Sequence, residues 1–239
     1  MSGVGGVASD TMGDTAGGDV DSAVERLLAA DLERRPRADA RRNVRRLVVA
    51  ARAAVAEIGV EVTAHEIARR AGVGIGTFYR RLPSREALLE AVLADTIGEL
   101  VTAASRAADD PDPWHGFCEF AVAFVRLRSA SCGINEALGG QCRLALDAPL
   151  AELREQVRLL VGRAQSAGVM RQDVAWQDVP FLLASVMTGE RTIGLRADAE
   201  QWRRNLRVVL DGLATTGPVP LPGSPPEEPA GVQAATAAE

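Results

Sequence analysis

From residue 41 to residue 214 the apolar side chains recur in steps of three and four, and no feature constrains the fold of this chain more. Such steps stack side chains on one face of an α-helix, whereas a half-buried strand needs strict alternation. Val44, Leu47, Val48, Ala51, Val55 and Ile58 form one stripe, Arg41, Arg42, Arg45, Arg46 and Arg52 take the remaining faces, and Gly59 supplies a stop. Leu88, Leu89, Val92, Leu93, Ile97, Leu100, Val101 and Ala104 form a second stripe behind Ser84, whose hydroxyl suits an N-cap. After the break at Asp109-Asp110-Pro111-Asp112-Pro113 comes a helix carrying Trp114, Phe117, Ala121, Phe124 and Val125. Residues 131–146, with Gly133, Gly139 and Gly140, are irregular or a short helix, and three more helices are predicted over 148–167, 176–194 and 198–214. Alternating β-branched runs are absent, so the fold class is all-α.

The ends lack this periodicity. Residues 1–22 are Gly, Asp, Ser, Thr and Ala and read as disordered; residues 217–239 hold a run of prolines from Pro218 to Pro229 and read as a flexible tail. A chain of 239 residues accommodates one or two domains. No run of 18 apolar residues is present and no leader pattern opens the chain, which predicts a cytoplasmic protein. The cysteines, Cys118, Cys132 and Cys142, are odd in number and form no CxxC pair, which fits reduced, inert core thiols. His65 and His115 stand alone, without a carboxylate or thiol at ligand spacing, so neither a metal site, a cofactor nor a catalytic base is expected, and the chain is not read as an enzyme.

The charge is unevenly placed. The whole chain carries -5, yet residues 34–85 hold thirteen Arg against four acids, a net of +9 between acidic flanks. A compact basic segment in an acidic protein is the footprint of a nucleic-acid contact. Arg41, Arg42, Arg45 and Arg46 serve either as a solvated helix face or as phosphate contacts, and Arg34, Arg35 and Arg37 either as a basic arm or as a linker.

Within this segment Thr63 and Glu66 have capping-box spacing, Ile67, Ala68 and Ala71 make an inward face two turns long, and Gly72 can take the positive φ of a tight turn. A second short helix from Gly74 or Ile75 turns Phe78 inward. Two short helices joined by a glycine turn form a helix-turn-helix, whose second helix is the one that enters the major groove.

The run from Thr63 to Leu93 resembles the tetracycline-repressor (TetR) family of bacterial transcriptional regulators. The resemblance rests on Glu66-Ile67-Ala68, Ala71-Gly72-Val73, Gly76-Thr77-Phe78-Tyr79 and Pro83-Ser84-Arg85-Glu86-Ala87-Leu88-Leu89, in order and at the right spacings, and covers about residues 40–95. Trp202-Arg203-Arg204-Asn205-Leu206 through Leu213 is similar to the last helix of a subgroup of the family. The resemblance implies that Thr63 touches phosphate, that Gly74, Ile75, Gly76, Thr77, Arg80 and Arg81 approach bases or backbone, that Tyr79 donates its hydroxyl to phosphate, and that Arg85 contacts phosphate where the family usually has Lys. Gly74 departs from the usual Ser, Arg81 from a frequent His and Leu82 from a frequent Phe.

The resemblance also implies a three-helix DNA-binding head over 34–83 and a larger helical ligand-binding and dimerisation domain over 84–216. Four of the nine aromatics fall within eleven residues, Trp114, Phe117, Phe120 and Phe124, and are read either as ordinary core or as the wall of an apolar cavity. Met170, Trp176 and Met187 add to that wall, and Asn135, Gln141 and Arg143 are polar groups able to orient a ligand. Phe181, Leu182, Ser185, Val186 and Gly189, with Leu206, Val209, Leu210 and Leu213, are expected either at a homodimer interface or packed inside their own subunit. The function expected is a homodimeric regulator that binds double-stranded DNA, a repressor released from a palindromic operator by a small-molecule effector. The alternative is a helix-turn-helix dimer with a filled core and no effector.

Overall fold

The structure, a computed structural model, describes residues 16–29, 38–140, 142–187, 191–214, 221–222 and 224–226. The described chain is helical apart from one two-stranded hairpin and divides into two compact units, residues 1–96 and 97–239.

The first unit begins with a helix that the composition of the N-terminus did not suggest. Helix α1, Ala16–Ala29, starts inside the segment expected to be disordered; residues 1–15 lie outside the described residues. Val20, Ala23, Val24 and Leu27 are its buried face, a stripe at helical spacing. Helix α2, Ala38–Ile58, buries Val44, Leu47, Val48, Ala51 and Val55 of its predicted stripe and leaves Ile58, at its last turn, exposed; Gly59, at φ +93, ends it. The short helices α3, Ala64–Ala71, and α4, Ile75–Arg81, pack against α2, with Ile67, Ala68 and Phe78 inside. Arg26 of α1 reaches helix α5, Arg85–Ala108, where it donates to Asp95 Oδ1 at 2.5 Å and to the Ala91 carbonyl at 3.3 Å. Asp95 is buried, so this pair fixes α1 against the core of the unit and is more than surface decoration.

Helix α5 runs across the division between the units, and its second half, with Leu100, Ala104 and Ala107 buried, belongs to the second. Helix α6, Pro113–Ala130, is capped by Asp112, whose carboxylate accepts from the Trp114 and His115 amides. Gly116 lets α6 pass close to the end of α5: a Cβ there would sit 2.3 Å from the Ala107 carbonyl oxygen. Helix α7, Cys132–Leu138, is the short helix left open by the sequence, and α8, Asp147–Ser166, packs Leu153, Val157, Leu160, Val161 and Ala164 toward α6.

The predicted helix over 176–194 is cut short. Helix α9 spans Asp178–Ser185, residues 188–190 lie outside the described residues, and strands β1, Arg191–Thr192, and β2, Leu195–Arg196, pair antiparallel with Thr192 opposite Leu195. β-Branched Thr192 and Ile193 disfavour helix, and Ile193 and Gly194 both take positive φ, +44 and +82, the geometry of a two-residue hairpin turn. Helix α10, Gln201–Leu213, then returns along α9, and the Arg171 amide donates to the Leu213 carbonyl at 3.0 Å.

Candidate nucleic-acid interface

Each turn of the helix-turn-helix has a local cause. The Thr63 hydroxyl accepts from the Glu66 amide at 3.2 Å, the expected N-cap of α3. The reciprocal half of a capping box is not made, because the Glu66 carboxylate is engaged by Arg69 at 2.7 Å and Arg70 at 2.7 Å, which hold its pKa down at about 2. Gly72 takes φ +63 and closes α3 through its amide, which bonds to the Arg69 carbonyl at 3.1 Å. Helix α4 opens at Gly74 with no side-chain cap, as expected where a serine hydroxyl is missing. Ser84 caps α5 by accepting from the Ala87 amide at 3.0 Å.

Helix α4 has a sharply divided surface. Phe78 is fully buried and meets Tyr79 edge to face at 5.1 Å, while Tyr79 as a residue is 58% exposed. Gly74, Gly76, Arg80 and Arg81 are exposed, Ile75 and Thr77 half-buried, and Arg80 donates to the Thr77 hydroxyl at 3.1 Å. Thr63 is exposed at the start of α3, and His65 lies on the surface of the same helix. Phenol and guanidinium groups are thus exposed on a helix anchored by a buried phenylalanine, with the half-buried Thr77 hydroxyl bonded to Arg80.

Arg85 is placed differently. Its guanidinium donates to the Val60 and Val62 carbonyls at 2.9 and 2.8 Å and to Glu86 at 3.0 Å, so it ties the loop before α3 to the start of α5. The arginines of α2 also have intramolecular partners: Arg41 and Arg45 face Glu25 and Asp21 of α1 at 3.5 and 3.2 Å, Arg42 faces Asp39 at 3.5 Å, and Arg46 donates to the Gly72 carbonyl at 3.0 Å. Arg42, Arg45, Arg46 and Arg70 border an open groove of about 630 Å³ floored by Val49 and Ala53. Arg34, Arg35 and Arg37 lie outside the described residues.

In the second unit Phe117, Phe120, Phe124 and Met170 are buried, while Trp114, Trp176 and Met187 are half-buried. Trp114 stacks on Phe117 at 5.7 Å, Phe120 tilts against Phe124 at 6.0 Å, and Arg128 lies 5.8 Å from the Phe124 ring centre. Asn135 is exposed and accepts from Arg128 at 3.1 Å, Arg143 is exposed, and Gln141 lies outside the described residues. A cavity of about 560 Å³ opens elsewhere, between α9, α10 and Leu221, Pro222, Ser224 and Pro225, lined by Val174, Phe181, Leu182, Val208 and Val209 with Asp173 and Asp178. No aromatic of the 114–124 cluster borders it.

The residues expected at a dimer interface divide. Val186, Leu206, Leu210 and Leu213 are buried within the subunit, Leu182 and Val209 are half-buried, and Phe181 and Ser185 are exposed; Gly189 lies outside the described residues. Val208, 73% exposed beside Phe181 at 66%, is the apolar residue that the sequence reading passed over. Its signal was the adjacent pair Val208-Val209, which cannot both face inward beside Leu206 and Leu210. The thiols differ as well: Cys118 is half-buried and its pKa is pushed by burial to about 11, which suits an inert thiol, but Cys132 is exposed. Among the described residues no His, Cys, Asp or Glu cluster suits a metal ion, and no helix is long and apolar enough to cross a membrane.

Comparison with known proteins agrees with this geometry. The family model described as bacterial regulatory proteins, tetR family, matches residues 47–92, and the one described as transcriptional regulator SbtR-like, C-terminal domain, matches residues 112–215. The chain is 33% identical to a TetR transcription regulatory protein from Mycobacterium vanbaalenii, with 74% of this chain and 98% of that one covered and a TM-score of 0.51. It is 28% identical to a TetR transcriptional regulator from Streptomyces coelicolor, with 71% and 97% covered and a TM-score of 0.52. The ketosteroid transcriptional regulator of Mycobacterium tuberculosis, 21% identical with 71% and 94% covered and a TM-score of 0.52, shares the fold. Among proteins of curated function none matches significantly.

Proposed function

From its membership of the TetR family of bacterial transcriptional regulators, which makes the chain a DNA-binding regulator and not an enzyme, we propose that it is a homodimeric, cytoplasmic repressor that leaves a palindromic operator when a small molecule binds. The observation that carries this reading is helix α4, where exposed Tyr79, Arg80 and Arg81 and half-buried Thr77 accompany a buried Phe78. Inserted in a major groove, Tyr79 and Thr63 bond to phosphates and fix the register, while Thr77 and Arg80 reach base edges. Two heads about 34–36 Å apart match successive turns of the duplex. The exposed apolar pair Phe181 and Val208 supports an α9–α10 face covered by a second subunit.

In this reading the effector occupies the second unit and is felt in the head through α5, which belongs to both units. Its leverage is the difference in its affinity for the two head spacings, typically about 1–3 kcal/mol. Titration of a selected operator tests the interface: Arg80→Ala is expected to weaken binding by about 1–3 kcal/mol and relax preference at one base. Tyr79→Phe weakens all sequences about equally. Binding unchanged in both variants rejects the assignment of α4 to the groove.

One observation favours a second reading, a DNA-binding dimer with a filled core and no effector: Phe117, Phe120 and Phe124 are buried and the aromatics of α6 pack on one another. A thermal-shift screen of a ligand library separates the two. A stabilising compound that also releases DNA supports the sensor, and its absence across apolar and aromatic classes supports the filled core.

A further inference from the structure

The hairpin between α9 and α10 presents apolar residues that its own subunit does not cover. All six residues from Arg191 to Arg196 are exposed, Ile193 at 93% and Leu195 at 65%. Ile193 stands first in the turn at φ +44, where Asn or Asp is the usual choice and a β-branched side chain is rare. A two-stranded hairpin on its own is marginal in water. An apolar, left-handed residue at the tip of such a hairpin suits a part that is completed by something else.

The groove that suits it lies at the other end of the same helix pair. The hairpin follows the end where the Asn205 side-chain amide of α10 donates to the Val186 carbonyl at 3.0 Å. The cavity of about 560 Å³ lies beside Asp178, Phe181 and Leu182 of α9 and Val208, Val209 and Gly212 of α10, one to two turns away. A two-fold axis perpendicular to α10 reverses the direction of the helix, so the hairpin end of one subunit meets the groove end of the other, twice. The charges agree with this exchange. Arg191 and Arg196 flank the apolar tip, while the groove is bordered by Asp178 and by Asp173, the latter already held by Arg171 at 2.7 Å, so Asp178 is the acid that the arm can meet.

We propose that residues 191–196 are an exchange arm, which seats Ile193 and Leu195 of one subunit in the α9–α10 groove of a second copy, with Arg191 and Arg196 toward Asp178. The arm rests on the homodimer proposed above, and it adds a reciprocal contact to the face carrying Phe181 and Val208. It also gives the hairpin a reason to interrupt the helix predicted over 176–194.

The test uses the full-length chain with p-benzoylphenylalanine at position 193, made in light and ¹⁵N-labelled forms, mixed and irradiated. Mixed-isotope cross-links from position 193 into residues 174–182 or 207–213 are the expected result. A dimer by sedimentation with cross-links only within one chain, or none, overturns the arm and leaves the dimer standing; a monomer overturns both. Independently, Ile193→Asn with Leu195→Ser keeps a turn-compatible residue at the tip, so the subunit still folds. This variant is expected to raise the dimer dissociation constant about tenfold or more with an unchanged circular dichroism spectrum. An unchanged dissociation constant overturns the proposal.

Discussion

At Gly72 the backbone runs at φ +63, and a Cβ built there meets a guanidinium nitrogen of Arg46 at 2.6 Å. Gly72→Ala therefore imposes left-handed strain of about 1–2 kcal/mol and pushes away the side chain that bonds the Gly72 carbonyl. The melting temperature is expected to fall about 2–4 °C for each kcal/mol, with weaker DNA binding as the turn shifts. Tyr79 is the opposite case: Tyr79→Phe keeps the ring that meets Phe78 and removes only the hydroxyl of a largely exposed residue, so it is expected to leave the melting temperature unchanged while weakening DNA binding. A second residue pair reports on pH. The His115 ring nitrogen lies 2.7 Å from Asp110 Oδ2, which raises the His115 pKa above its ordinary 6.5 and lowers that of Asp110 below its ordinary 3.8. The raised histidine contributes stability that is full below about pH 6.5 and is lost as pH rises through the raised value; the lowered carboxylate contributes above about pH 3.8 and is lost on further acidification. His115→Ala is accordingly expected to lower the melting temperature slightly near pH 5.5 and to have no effect near pH 9. The pair is exposed, so the effect is small.

Helix α1 shows how the size of an interaction decides its role. Its contacts to Arg41 and Arg45 join exposed groups at 3.5 and 3.2 Å, and such pairs contribute about 0–1 kcal/mol. Its contact to Asp95 involves a carboxylate only 3% exposed. Arg26→Ala is thus expected to cost about 1–3 kcal/mol in chemical denaturation, a loss discounted because the Arg26 side chain is itself half-exposed. Asp21→Asn with Glu25→Gln is expected to cost under about 1 kcal/mol; equal losses in the two variants would place α1's anchor at its surface pairs instead. The helix was legible in principle. Val20, Ala23, Val24 and Leu27 have helical spacing, but glycines and aspartates before them made the segment read as unstructured. The helix-turn-helix was legible because its caps, its αL glycine and its inward phenylalanine are all local. Arg26–Asp95 and the ties of Arg85 to Val60 and Val62 were not, since the partners are 69, 25 and 23 residues apart and nothing in composition links them. The 191–196 hairpin was hidden for another reason: the apolar spacing of 176–187 carries on smoothly into Thr192 and Ile193, and only the positive φ of Ile193 and Gly194 reveals the turn.

On the scale of the molecule the acidic total of -5 hides a division of labour. The thirteen arginines of residues 34–85 are partly engaged internally, by Asp21 and Glu25 of α1 and by Asp39, Glu57 and Glu66 within the segment, and the arginines left facing outward on α4 are Arg80 and Arg81. Phosphate binding by such groups releases counterions, so affinity for DNA should fall with a log–log salt slope of about -0.9 per phosphate contact. Arg81→Ala is expected to flatten that slope by about 1, and an unaltered slope would remove Arg81 from the contact. The second unit was legible as helices but less so as a site. Periodicity marks which residues are apolar, and only packing separates Phe120, which fills the core, from Phe181 and Val208, which are left outside.

In the proposed function α4 reads DNA as one of two heads on a dimer. Selection of bound sequences from a random double-stranded pool by the full chain tests it most directly. An enriched inverted repeat with half-site centres about 10 base pairs or a multiple apart, lost on Arg80→Ala, is expected. Recovery of unenriched sequence, or of a motif that Arg80→Ala and Tyr79→Phe leave intact, would contradict it.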